Sequence, residues 1–173
     1  MARVRALALL SAAGLLLGVP AAAGTGSVAT QPSLDTEIVE QVNALRERLG
    51  LKPLRLSTAL TSAAAYHSRS MLVDGFFDHD SPSGAPFGKR IRRFYTPRGF
   101  RSWEVGENLA WGSPVLDAED VIEDWLASPR HRANLLADQW REVGVSSIRA
   151  QQAPGEFGGL TVTVVTVDFG ARD

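Results

Sequence analysis

Two histidines and a glutamate stand out for the chemistry their side chains can do. His79 lies in F-F-D-H-D-S-P, Glu107 in V-G-E-N-L-A-W-G and His131 in W-L-A-S-P-R-H-R-A-N-L-L. Imidazole and carboxylate are groups that a borderline divalent metal ion prefers, and they also transfer protons. Two His and one Glu can hold Zn²⁺ or another divalent cation with a fourth position open for water or ligand. Imidazoles more than about 7 Å apart and facing away from each other cannot share one such ion. Glu107 sits inside a largely apolar run, where a buried carboxylate must be paired, ligated or neutral. It can touch a metal itself or orient an imidazole that does, and the pattern leaves both roles open. Glu107 and His131 are also the candidate catalytic groups.

The other motifs narrow the chemistry. No H-E-x-x-H and no G-x-S-x-G occur, so neither a metalloprotease helix nor a nucleophile elbow is encoded in its usual form. The chain has no cysteine, which removes thiolate nucleophiles, cysteine zinc sites and Fe–S clusters. Ser128 precedes His131 by three residues and can meet it across a helical turn, but Ser128-Pro129 is explained as a helix cap. Trp103 and Trp111 flank Glu107 and are expected to wall a cleft with Ser128. Asn108 and Asn134 read as backbone-bonding residues, and His67 as a packed structural histidine on a helix. Between Lys89 and Arg101 six basic residues interleave with Phe94, Tyr95 and Phe100. They read as the solvated face of an amphipathic helix, with Lys89, Arg90, Arg92 and Arg93 able to meet an anionic wall polymer or lipid surface.

These residues need elements to position them. Ile38, Val39, Val42, Leu45 and Leu49 fall at helical spacing from about Asp35, and Gly50 ends that helix. Leu51–Leu56 reads as an extended connector around Pro53. Ser57 is an N-cap for a helix over Thr58–Val73 that Gly75 terminates. Phe76–Gly84 is then a loop carrying His79, and Phe87–Phe94 a short amphipathic helix. Tyr95–Gly112 is expected to be irregular with short strand pieces. Asp117 caps a helix to about Ala127, with acidic residues at its positive end, and Ser128-Pro129 opens a short helix bearing His131. Glu142–Ile148 and Leu160–Phe169 are rich in Val, Thr and Ile around a Gly/Pro segment, an antiparallel hairpin. Helices first and a hairpin last argue for an α+β fold.

The start of the chain reads as an address. A short basic stretch through Arg5, an uncharged apolar run from Ala6 to Val19 and the small residues before Gly24 make a secretory leader, cleaved after Ala23, with a retained anchor as the alternative. The run is shorter than the roughly 20 residues a bilayer span requires. Its removal takes Arg3 and Arg5, leaving sixteen of the 18 basic residues against 19 acidic ones. So mild a negative charge does not point to nucleic acid. Residues 24–34 read as a flexible linker and 35–173 as one domain, long enough for a core without disulfides. A monomer is expected.

Taken in order, these segments resemble the CAP superfamily: cysteine-rich secretory proteins, antigen 5 and pathogenesis-related proteins, with bacterial SCP-like relatives. The resemblance runs through N-A-L-R at Asn43–Arg46, the three stretches around His79, Glu107 and His131, E-V-G-V at Glu142–Val145 and V-D-F-G at Val167–Gly170. It implies a three-layer α–β–α sandwich with a central antiparallel sheet and a cleft lined by a His/Glu tetrad. By motif the tetrad maps to His79, Glu107 and His131, with thirteen residues from His131 to Gly144 as the family pattern requires. The second glutamate falls at Ser128, so a triad plus a hydroxyl remains. The resemblance further implies a secreted protein whose cleft engages an extracellular small molecule, lipid or cell-wall polymer, with metal-assisted hydrolysis as the alternative.

Overall fold

Each apolar stripe in the sequence covers one face of a single sheet, and the computed structural model describes residues 27–173. In chain order the elements are β1 (Val28–Thr30), α1 (Pro32–Arg48), β2 (Arg55–Leu56), α2 (Thr58–Asp74), α3 (Phe87–Ile91), β3 (Trp103–Gly112), α4 (Ala118–Ala127), α5 (Pro129–Leu136), β4 (Glu142–Ala150) and β5 (Val162–Arg172). The sheet runs β1-β4-β5-β3, and β2 adds in parallel to the far end of β4. The three long strands are antiparallel, and β3 is an outer strand.

Alternation along the strands sorts the side chains into two cores. Val143, Val145, Val165, Val167 and Phe169 pack against α1, α4 and α5, where Ile38, Val42 and Trp125 are fully or almost fully buried. On the opposite face, Met71 and Leu72 of α2 meet Leu109, Ile148 and Val164, while Leu60 of α2 meets Ile91 and Tyr95. The result is the expected α+β arrangement, a three-layer sandwich of helices about an antiparallel sheet.

The local signals explain most boundaries. Ser57 Oγ accepts the Leu60 amide and Gly75 closes α2 with a left-handed φ of 70°. Asp117 accepts the Asp120 amide at the start of α4. Two motifs act as clasps: Asn43 exchanges hydrogen bonds with the Leu54 backbone, and buried Arg46 donates to the carbonyls of Lys52, Leu135 and Ala137. Arg46 thereby fixes the end of α5 against α1. In E-V-G-V, Gly144 lies against the first turn of α2, where an added Cβ would sit 2.1 Å from backbone atoms of Leu60 and Thr61.

Four expectations need correction. Val28–Thr30, inside the stretch read as linker, pairs with Ile148–Ala150 as an edge strand. α1 begins at Pro32, whose fixed φ suits a first helical position. α3 ends at Ile91, with Arg92–Phe94 continuing in turns. Trp103–Gly112 forms one ten-residue strand, paired to β5 along its whole length. Its glycines and polar residues hid it, yet Trp103, Val105, Leu109 and Trp111 alternate as a strand should, with Glu107 in the middle position. The expected leader and its cleavage after Ala23 lie outside the described residues.

Candidate functional site

The three residues meet at the β3 edge, where the two helical layers come together. Glu107 points from β3 toward the α2–α3 layer, the Phe76–Gly84 loop brings His79 over it, and α5 brings His131 from the other layer. The two imidazole centroids are 6.3 Å apart. An open cavity of about 550 Å³ lies here, lined by His79, Phe87, Glu107, Ser128, His131 and Asn134 among others.

Glu107 is a fixed part of the floor. It is 3% exposed, and its two oxygens are divided between partners. One oxygen bonds His79 Nδ1 at 2.9 Å, and the other is paired with Arg90 Nη2. Arg90 also donates from Nη1 to the His79 carbonyl at 2.9 Å, so one guanidinium holds both the carboxylate and the loop that carries the imidazole. The Glu107 hydrogen bond raises the His79 pKa above that of a free imidazole, against the opposing effect of burial. This bond commits Nδ1 to the protein and leaves Nε2 as the other ring nitrogen.

Beneath Glu107 lies a second carboxyl group. Asp168 of β5 is its cross-strand neighbour and is fully buried. Burial first, and then the Glu107 charge, raise the Asp168 pKa well above the carboxylate range, with Arg90 opposing. No donor among the described residues faces either Asp168 oxygen. Burial next to the Glu107 carboxylate thus favours the neutral acid at Asp168, with the Arg90 guanidinium as the one nearby cation.

His131 is held differently. Asn108 Nδ2 donates to its carbonyl, and Asn134 Nδ2 donates to the Glu107 carbonyl and to Asn108 Oδ1, all at 3.0 Å. These bonds stitch α5 to β3, in the backbone-bonding role expected of both asparagines. Burial, with His79 nearby, lowers the His131 pKa, so this ring is neutral near pH 7 and its nitrogens can accept or ligate. Ser128 stands at the N-cap position of α5, but its side chain accepts no helix amide, and the residue lines the cavity. The cap explanation for Ser128 is thus incomplete: Pro129 at the first helical position does that work.

The donor set fits a divalent ion in part. With metal–nitrogen bonds of about 2 Å, two imidazoles sharing one ion place their centroids roughly 5 to 6.5 Å apart. The observed separation falls within that range. Glu107 is not a free third ligand, because Arg90 and His79 occupy its oxygens. Among the described residues no three His, Cys, Asp or Glu side chains are grouped as a ready-made metal site.

Several side chains are placed otherwise than their sequence positions suggested. Trp103 and Trp111 share the Glu107 face of β3 but are four residues away on either side, roughly 13 Å along a strand. Trp103 donates to the Tyr95 carbonyl, and Trp111 packs on Phe77 and Phe157. Neither lines the cavity; Phe87 and Val105 supply its apolar wall. Arg90 is no solvated surface residue, being 3% exposed and bonded to Glu107, while Lys89, Arg92 and Arg93 are exposed. His67 is packed as expected, with Nε2 against the Asp78 carbonyl at 2.8 Å. Arg90 and Asp168 are the site residues that sequence reasoning missed. For Asp168 a signal existed, an acid within an otherwise Val/Thr/Phe strand.

Comparison with known proteins agrees with this geometry. The model of the CAP family, described as the cysteine-rich secretory protein family, matches residues 39–169. The chain is 32% identical over 127 residues to uncharacterized protein YkwD of Bacillus subtilis (strain 168), covering 73% of this chain and 47% of that one. Among solved structures, an extracellular protein containing an SCP domain from Bacillus anthracis str. Ames superposes with a TM-score of 0.60 at 27% identity, over 80% of this chain and 40% of that one. An outer surface protein of Borrelia burgdorferi has the same fold at 20% identity, with a TM-score of 0.69 over 86% of this chain and 99% of its own. This chain thus spans less than half the length of YkwD. Clasped helices, a β3-edge cleft and a family match running from α1 into β5 make one conclusion: the chain belongs to the CAP, or cysteine-rich secretory protein, family, although it contains no cysteine.

Proposed function

We propose that the β3-edge cleft is a recognition site for an extracellular small molecule, lipid or cell-wall component, with His79 and His131 presenting its polar contacts. The observation that carries this reading is the state of Glu107. Both of its oxygens are bonded within the protein, so it acts as a fixed anchor for His79 and not as a free base. Work outside the cytoplasm is supported by the leader expected at residues 1–23 and by the extracellular and outer-surface relatives named above. Among the described residues no helix is long and apolar enough to cross a membrane.

A divalent cation is an optional part of the cleft. His79 and His131 would hold it, Glu107 would orient the His79 ring, and the ion would supply Lewis acidity or a bridge to ligand oxygens. With two imidazoles as its protein ligands, the site should bind Zn²⁺ more weakly than a three-ligand catalytic centre. The rival reading, a metal-assisted peptide or ester hydrolase, has less support, because both oxygens of Glu107, the carboxylate that would take a proton from water, are bonded to Arg90 and His79.

Calorimetry with Zn²⁺, followed by assays on peptide, ester and cell-wall substrates, tests this. The expected result is saturable Zn²⁺ binding lost in both His79→Ala and His131→Ala, with no turnover. Turnover by the purified protein that disappears in His131→Ala would overturn the recognition reading in favour of the hydrolase.

A further inference from the structure

A second pocket lies behind Arg90, on the α2–α3 side of the loop that carries His79. Its volume is about 450 Å³, and Tyr66, Ser70, Ser81, Lys89, Arg90 and Arg93 contribute to its lining. Arg90 does not line the His79/His131 cavity. Nη1 and Nη2 of its guanidinium are bonded to the His79 carbonyl and to Glu107. Nε is buried and has no hydrogen-bond partner among the described residues. An unsatisfied buried donor on a charged group is costly, by roughly 1–3 kcal/mol or more, and calls for a partner that bonds it.

The surroundings of that donor favour an anion. Lys89 and Arg93 stand at the rim, both exposed and neither in a salt bridge among the described residues. Arg93 is braced over the Tyr66 ring, its guanidinium carbon 5.4 Å from the centroid, and Tyr66 is braced in turn by Phe94 at 5.8 Å. The one carboxylate in the lining, Asp74, already accepts the Ser70 hydroxyl at 2.8 Å. Ser81 and Ser83 add hydroxyls from the turn that closes the pocket, where the Gly84 amide bonds the Ser81 carbonyl. Lys89, Arg93 and the Ser81 and Ser83 hydroxyls together offer more donors than the two oxygens of a carboxylate can use, and they suit a tetrahedral group with three or four acceptor oxygens.

We propose that this pocket binds a phosphate group, as the ester of a small polyol, a wall polymer or a lipid headgroup, between Lys89 and Arg93 and beside the buried guanidinium of Arg90. The anionic partner suggested by the basic stretch is thereby assigned to an inward-facing pocket and not to a solvated helix face. Arg92 takes no part, because it lies outside the lining.

The test is calorimetry of the full chain at low salt with inorganic phosphate and with glycerol 3-phosphate. Saturable one-to-one binding is expected. Lys89→Ala and Arg93→Ala should each weaken it about tenfold, the loss of one charge-assisted hydrogen bond. Arg92→Ala should change it less than about twofold, since a charge outside the pocket acts only through screened, long-range attraction. Sedimentation with phosphatidylglycerol vesicles separates the sources. Vesicle binding competed by glycerol 3-phosphate assigns the phosphate to a lipid headgroup, and soluble binding without vesicle binding assigns it to a free or polymer ester. The proposal is overturned if no saturation is reached, if Arg92→Ala weakens binding as much as Arg93→Ala, or if vesicles bind without competition. None of these readouts depends on His79, His131 or a metal, so the outcome is independent of the cleft assignment.

Discussion

Replacing Arg90 by methionine should be among the most damaging single changes in this domain, although the residue lies on a five-residue helix near the surface. Methionine keeps an apolar stem of similar reach but removes the guanidinium from Glu107. The carboxylate then keeps only His79 and the Asp168 acid as close partners, at a site where its side chain is fully inaccessible. Removing one partner of a buried ion pair costs about 3–5 kcal/mol, because the remaining charge is stranded away from water. For a domain of about 150 residues each kcal/mol lowers Tm by roughly 2–4 °C, so a fall of about 10–15 °C is expected. Urea denaturation of wild type, Arg90→Met, Glu107→Gln and the double variant measures it. Each single change should be severe and the double variant much milder than their sum, with a coupling energy of about 2 kcal/mol or more. A loss below about 1 kcal/mol for Arg90→Met, or strict additivity in the cycle, would refute the claim that this pair anchors the cleft.

Other consequences can be checked in the same material. His67 is 1% exposed, and burial lowers its pKa to about 4 from 6.5, so below pH 6.5 the unfolded chain takes up a proton that the folded one refuses. Stability should fall by about 3 kcal/mol between pH 7 and 4 from this group, and a His67→Gln variant should show a correspondingly flatter profile of Tm against pH. His79 acts in the opposite sense: its raised pKa contributes stability below pH 6.5 that is lost as pH rises through the folded value, so His79→Gln should steepen the acid loss. Gly144→Ala would drive a Cβ into the backbone of α2 and should cost about 3 kcal/mol or more, read from urea unfolding. Asn134→Ala removes two of the three side-chain bonds that stitch α5 to β3; about 1–3 kcal/mol of stability should go, with a parallel loss of cleft affinity measured by calorimetry.

Local chemistry was legible without coordinates. Ser57, Gly75 and Asp117 mark helix ends by capping geometry that depends on a few neighbouring residues, and the Val/Thr-rich hairpin follows from period-2 alternation. The residue types at His79, Glu107 and His131, together with the order of motifs around them, were enough to bring them to one cleft. β3 was missed because two glycines, Glu107 and Asn108 blur its alternation, and its stability comes from pairing with β5, more than fifty residues later. Arg90 and Asp168 were missed for the same kind of reason. Whether an arginine on a short basic helix faces water or a buried carboxylate is set by how α3 docks on β3, and the Glu107–Asp168 pair exists only in the β3–β5 register. Capping and periodicity act over one or two turns and can be read along the chain. Desolvation and charge pairing depend on which distant segments exclude water together, and only the tertiary structure decides that.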